Sequence, residues 1–160
     1  MIFVTLGSQK FQFNRLLKAV DELDTDEEIF AQIGYSDYKP QNYKYKEFLD
    51  REEFAAWEEK ADIVITHGGT GAIIGAVKKG KKVIAVPRLA KYGEHVDDHQ
   101  VQIAEAFSQK RCVLQCNDLE QLALRIEQAK AFTFQPYSAP ESKIEDIILE
   151  YIDKQVKTKE

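Results

Sequence analysis

The chain has 160 residues, 44% of them hydrophobic and 31% charged, which fits one soluble globular domain and excludes a disordered or collagen-like chain. Its formal net charge of −5 argues against a broad electrostatic footprint for nucleic acid. No apolar run approaches the ~18 residues needed to span a bilayer, and the short apolar start lacks the basic lead of a signal peptide, so a cytoplasmic location is expected.

Taken in chain order, residues 2–6 form a short apolar strand. From Asn14, the spacing of Leu16, Leu17, Val20 and Leu23 predicts a helix with Asn14 as its N-cap. Residues 28–33 read as a second strand ending at Gly34, and residues 35–42 as a loop. Tyr43, Tyr45 and Phe48 alternate like a third strand. Residues 51–60 read as a helix that turns Phe54, Trp57 and Ala61 inward. The β-branched run at 62–66 suits a strand buried on both faces. A tight turn, His67-Gly68-Gly69-Thr70-Gly71, leads into a helix over 72–79 that Gly80 stops. Strands are expected at 82–86 and 111–115, and helices from about 95 to 110 and, capped by Asn117 or Asp118, through 131. Residues 132–140 read as irregular. A last helix over 141–155 carries an apolar stripe of Ile144, Ile147, Ile148, Tyr151 and Ile152, suited to covering the sheet or docking a partner. Residues 1–155 thus form one domain and 156–160 a polar tail.

Alternating strands and helices imply crossover connections, hence a Rossmann-like α/β domain: a mostly parallel sheet with helices on both faces. Ligands of such sheets bind beyond the carboxyl ends of the strands, which directs attention to the loops after Leu6, Thr66 and Val86. The glycines at 68, 69 and 71 let a ligand approach the backbone, and the helix that follows offers N–H groups suited to phosphate. The same glycines also serve a tight packing turn. The turn is neither a P-loop nor a dinucleotide fingerprint, because Gly69 to Gly75 reads GxGxxxG and follows a later strand.

The segment Glu94-His95-Val96-Asp97-Asp98-His99-Gln100 offers acids, imidazoles and an amide at a loop-to-helix boundary, fit for sugar hydroxyls, acid–base work or helix capping. It lacks an HExxH spacing, so no metal is expected. His67 fits a role bonding the backbone of its own turn. Phe11 and Phe13 read either as a staple onto the first helix or as a patch for a partner. Lys78, Lys79, Lys81 and Lys82 complement a helix C-terminus at the other end of the sheet. Cys112 and Cys116 read as reduced thiols beside a strand.

With Thr66-His67-Gly68-Gly69-Thr70-Gly71, then Val83-Ile84-Ala85-Val86-Pro87, then Asp98-His99-Gln100, and with Val4-Thr5-Leu6-Gly7-Ser8-Gln9 at the start, the chain resembles the carboxyl-terminal domain of family 28 glycosyltransferases. These are inverting GT-B enzymes that use UDP-sugars. It is similar to small stand-alone members, including the catalytic subunit of the two-part GlcNAc transferase of dolichol-linked oligosaccharide synthesis and short exopolysaccharide and capsule transferases. The resemblance implies the carboxyl-terminal half of a GT-B fold and a UDP-sugar donor with no further cofactor. It also implies a membrane-associated acceptor-binding subunit, a lipid-linked saccharide acceptor and a position at the inner face of the membrane through that subunit. Self-association is the expected alternative for the isolated chain. Gly7 and Ser8 would face the diphosphate, and Gly68, Gly69, Thr70 and Gly71 would cradle it beside His67. Pro87 and Arg88 would approach uracil, and His99 and Gln100 the donor sugar. No residue is assigned as the base, with His99 and Glu94 as candidates. Gly75 stands where family members often carry a ribose-binding acid, leaving Glu94 as a substitute. That departure also leaves open a non-catalytic nucleotide-binding or scaffolding module of the same fold.

Overall fold

A computed structural model describes residues 1–137. The polar tail and the helix expected over 141–155, with its apolar stripe, lie outside the described residues.

Among the described residues, six parallel strands form one sheet in the order β3-β2-β1-β4-β5-β6. They are β1 (Ile2–Thr5), β2 (Ile29–Gln32), β3 (Lys44–Lys46), β4 (Ile63–His67), β5 (Lys82–Val86) and β6 (Leu114–Gln115). The helices are α1 (Asn14–Asp21), α2 (Arg51–Lys60), α3 (Thr70–Lys78), α4 (His99–Gln109) and α5 (Leu122–Ala131). Alternation of side chains across the sheet creates two cores. Ile2, Val4, Ile63, Ile65 and Ile84 pack with α1 and α5 through Leu16, Leu17, Leu122 and Ile126. Phe3, Val64, Val83 and Ala85 pack with α3 and α4 through Ile73, Val77, Ile103 and Phe107. Trp57 of α2 closes the second face by stacking on Phe30 at 3.8 Å, and Phe54 meets Phe3 edge-on at 5.2 Å.

Register decides where a ligand can sit. Thr5 pairs with both Gln32 and Thr66, and Thr66 pairs with Ala85. The loops after β1, β2, β4 and β5 therefore leave one common rim. Strand order reverses at β1, which opens the crevice between the loops after β1 and β4.

Several boundaries differ from the sequence expectation, each for a local reason. Asn14 is the first helical residue rather than the cap. Phe13 occupies the cap position, while the Asn14 side chain accepts from the Tyr38 N–H at 3.1 Å. Helix α4 begins at His99 instead of near His95, because the preceding segment spends its polar groups on other loops. Asp118 does cap, but it caps a 3-10 turn (Leu119–Gln121) that precedes α5. The sixth strand shrinks to two residues, following Arg111 at a φ of 61°. Both cysteines are buried free thiols, as expected, and burial pushes the Cys116 thiol up to about 11.

Candidate functional site

The turn after β4 is built around one histidine. His67 ends the strand and is buried. Its Nδ1 accepts the Gly69 N–H at 3.2 Å. A backbone N–H can only donate, so in the neutral ring the proton sits on Nε2. The Gln100 amide, 3.4 Å from the same Nδ1, completes that arrangement as a second donor. Burial, then the nearby Arg88 charge, lowers the His67 pKa to about 3, so the ring is neutral at physiological pH.

Two glycines are required by this ring. A Cβ on Gly69 would collide with it, and a Cβ on Gly7, where φ is +74°, would lie 2.6 Å from Nε2. The protonated nitrogen thus lies under the turn after β1, where the two loops of the crevice approach each other.

Helix α3 begins directly beyond Gly69, and no side chain caps it. The first N–H groups of an α-helix have no intrahelical partner, and the helix dipole adds positive character there. The Thr70 hydroxyl in this first turn is buried without a hydrogen-bond partner. A buried orphan hydroxyl at an uncapped helix start is a donor awaiting an acceptor. A Cβ on Gly71 would meet nothing within 4 Å, so the exposed side of the turn is open to an incoming group.

Most of the expected site residues fall into two groups, with Ser8, Pro87 and His99 in neither. Gly7, His67, Gly68, Gly69, Thr70 and Gly71 converge on the crevice. Arg88, Glu94 and Gln100 do not present their side chains to it. Arg88 is 1% exposed, and its guanidinium donates to the carbonyls of Leu6, Phe11, Gln12 and Glu94. It ties the loop after β1 to the loop after β5 rather than approaching a base. Glu94 is 0% exposed. Its carboxylate takes a bidentate pair from Arg15 at 3.0 Å on both oxygens and accepts the Leu89 N–H at 3.0 Å. A buried, saturated carboxylate serves neither as a general base nor as a ribose anchor. Gln100 is 2% exposed. Its Oε1 accepts from the Gly68 N–H at 3.1 Å and the Arg88 N–H at 3.0 Å. It clamps the loops after β4 and β5 together, so its side chain is not directed at a donor sugar. Pro87 lies in the same clamped loop, where its carbonyl is 3.4 Å from Arg15. Ser8 is exposed near the rim. His99 opens α4, and its ring contacts the Asp97 carboxylate.

Phe13 is fully buried beneath Arg88, 5.1 Å from its guanidinium, which settles it as core and not as a partner-facing patch. Phe11 is half-buried and lies against the His95 ring at 5.8 Å. Sequence reasoning missed Arg15, the partner of Glu94. Nothing local to α1 marks it, since the pair spans 79 positions.

The family-model match is decisive: residues 1–151 fit the glycosyltransferase family 28 C-terminal domain. The chain belongs to that family. It is 28% identical over 101 residues to the UDP-N-acetylglucosamine transferase subunit ALG13 of Yarrowia lipolytica, an alignment covering 62% of this chain and 50% of that protein. The chain therefore aligns with only half the length of this curated relative. Among solved structures, it resembles the solution structure of ALG13 (TM-score 0.56, 18% identity, 84% of this chain and 87% of that one). It also resembles Acinetobacter baumannii MurG (TM-score 0.55, 20% identity, 92% and 49%). A third likeness is to the glycotransferase of kitacinnamycin (TM-score 0.59, 20% identity, 80% and 34%). The fold is the Rossmann-like carboxyl-terminal half of GT-B. Among the described residues, no helix is long and apolar enough to cross a membrane.

Proposed function

We propose that this chain is the donor-binding catalytic subunit of an inverting UDP-sugar glycosyltransferase. In this reading a separate membrane-associated subunit supplies the acceptor side. The acceptor is a lipid-linked saccharide, in exopolysaccharide or capsule synthesis. The observation that carries the proposal is the surplus of donors at the crevice. The uncapped start of α3, the orphan Thr70 hydroxyl and the neutral His67 ring with its proton on Nε2 lie together along the turn after β4. A diphosphate offers acceptors for all of them.

The chemistry follows from that placement. The acceptor hydroxyl attacks the anomeric carbon, the bond from that carbon to the β-phosphate oxygen breaks, and UDP departs with the electron pair. Charge develops on the leaving phosphate, where the α3 dipole and fixed N–H groups stabilise it without reorganising. Pre-placed donors do this without a metal. The proton of the acceptor hydroxyl goes to a base in the acceptor half. Glu94 is excluded from that role by its pairing with Arg15.

Calorimetry with UDP, ADP and GDP in the presence of a chelator tests the donor half of the proposal. The expected result is tighter binding of UDP that persists with the chelator. Equal affinity for the three diphosphates contradicts it. Transfer assays with and without the partner subunit test the rest, the isolated chain being expected to bind UDP and to transfer slowly or not at all.

A further inference from the structure

The loop before α4 alternates in direction, residue by residue. Glu94 and Gln100 turn inward and are buried. Asp98 folds back so that its carboxylate accepts the Ala90 N–H at 2.8 Å. Between these anchors, His95, Asp97 and His99 turn toward a common point, one ligand atom of each lying within 4.8 Å of the others. His95 Nδ1 is 3.3 Å from an Asp97 oxygen, and His99 Nδ1 contacts the same carboxylate. The three side chains are sheltered, at 9%, 21% and 11% exposure. Their rings are also oriented: His95 lies against Phe11, and it meets His99 edge-on at 5.1 Å and 89°.

We propose that His95, Asp97 and His99 form a binding site for one divalent transition-metal ion of the zinc type. Two imidazole nitrogens and one carboxylate oxygen are ligands for zinc, cobalt or nickel, whereas magnesium and calcium take oxygen sets. Metal–ligand bonds of about 2.0–2.2 Å place neighbouring ligand atoms about 3–3.5 Å apart; His95 and Asp97 stand at that separation, and the His99 ring, in direct contact with the same carboxylate oxygen, turns back to admit an ion. The His99 backbone N–H donates at 3.2 Å to Asp97 Oδ1, the oxygen that both imidazoles meet, and the Asp97 N–H donates to His95 Nδ1 at 3.4 Å, so the backbone of the loop orients both side chains. Three protein ligands leave one coordination position for water or another oxygen. The spacing is His-x-Asp-x-His on irregular backbone, so the helical spacing rule that argued against a metal in the sequence does not apply to it. The ion fastens the loop to the first residue of α4. The cluster neighbours the diphosphate cradle, with Gln100 beside His99 bonded to Gly68, but its three ligands are not the donors at the start of α3 that the proposed function assigns to the diphosphate.

The test uses chelator-treated protein titrated with Co²⁺, read by visible ligand-field absorption, with Zn²⁺ competition. The expected result is one equivalent of Co²⁺ with visible bands that Zn²⁺ displaces. Affinity should fall in His95→Ala and in the nearly isosteric Asp97→Asn by more than the roughly 10–100-fold that loss of a supporting group costs. Absence of visible bands, bands unchanged in both variants, or a thiolate charge-transfer band from Cys112 or Cys116 overturns the proposal. UDP calorimetry on the metal-free protein reads the donor site separately, so failure of one reading leaves the other standing.

Discussion

The two ends of the sheet handle their polar groups in opposite ways. At the amino end, the lysine-rich segment is satisfied internally. The Lys81 ammonium donates to the carbonyls of Glu59 and Ala61, closing the C-terminus of α2. Lys79 pairs with buried Glu58 at 2.8 Å, and Lys82 donates to the Lys130 carbonyl. At the carboxyl end, the start of α3 has no side-chain cap and the Thr70 hydroxyl has no hydrogen-bond partner. A concentration of positive charge can thus be wholly used within the fold, whereas an uncapped helix start keeps donors that its own helix does not use. The lysines complement a helix dipole; at the other end the N–H groups of Gly68 and Gly69 are taken by Gln100 and His67, and the start of α3 beyond them is what the proposed function gives to a ligand.

The largest expected effect comes from filling the cradle. Gly69→Val places a branched side chain into the His67 ring and should weaken UDP binding by at least about 100-fold, or ~2.7 kcal/mol. Near-normal UDP affinity in a variant shown by circular dichroism to be folded would remove the turn from the site. Next is Gln100→Ala. It strips the acceptor from the N–H groups of Gly68 and Arg88, at about 1–3 kcal/mol for each buried donor left unsatisfied. The structure predicts a lower denaturation midpoint and an equal loss of UDP and UDP-sugar binding. A loss confined to UDP-sugar would instead support the contact with the donor sugar expected from the sequence.

The His67 ring gives a pH signature. Its folded pKa of about 3 lies below the ordinary 6.5. Between those values the unfolded chain holds a proton that the folded chain does not, so stability declines as pH falls through this window. From pH 7 to pH 5 the loss from this ring approaches about 2 kcal/mol. Urea midpoints for wild type and His67→Gln should show a smaller pH difference in the variant, and identical differences would mean that the ring is not buried neutral. Thr70→Val should cost about 1 kcal/mol of UDP affinity, the worth of one hydrogen bond, with little change in stability because the hydroxyl has no internal partner. Smallest of all, Lys81→Met should alter stability by under about 1 kcal/mol and leave UDP affinity unchanged. A marked fall in UDP affinity in this variant would collapse the distinction between the two ends.

Much of the fold was legible because its signals are local. The β-branched run at 63–66, the helical spacing of Leu16, Leu17 and Val20, and Gly80 after α3 each need only neighbours in sequence to be read. The glycine turn was legible for the same reason. Its detailed cause was not, because the ring that forbids a side chain at Gly7 comes from His67, far along the chain. The same limit explains Arg88, Glu94 and Gln100. Their residue types suggested ligand contacts, yet each is claimed by partners on other loops: Leu6 and Phe11 for Arg88, Arg15 for Glu94, Gly68 for Gln100. A polar side chain reaching across the fold leaves no periodicity to detect, and its residue type is the same whether it holds a substrate or a loop.

The central claim is that the start of α3 receives the diphosphate of UDP. Amide NMR of the isotope-labelled chain during UDP titration tests it most directly. The account predicts the largest shifts at the N–H groups of Gly69, Thr70, Gly71 and Ala72, with Lys79 to Lys82 essentially unmoved. Saturable UDP binding with unshifted amides at 69–72, or with its largest shifts among the lysines at the amino end, would contradict it.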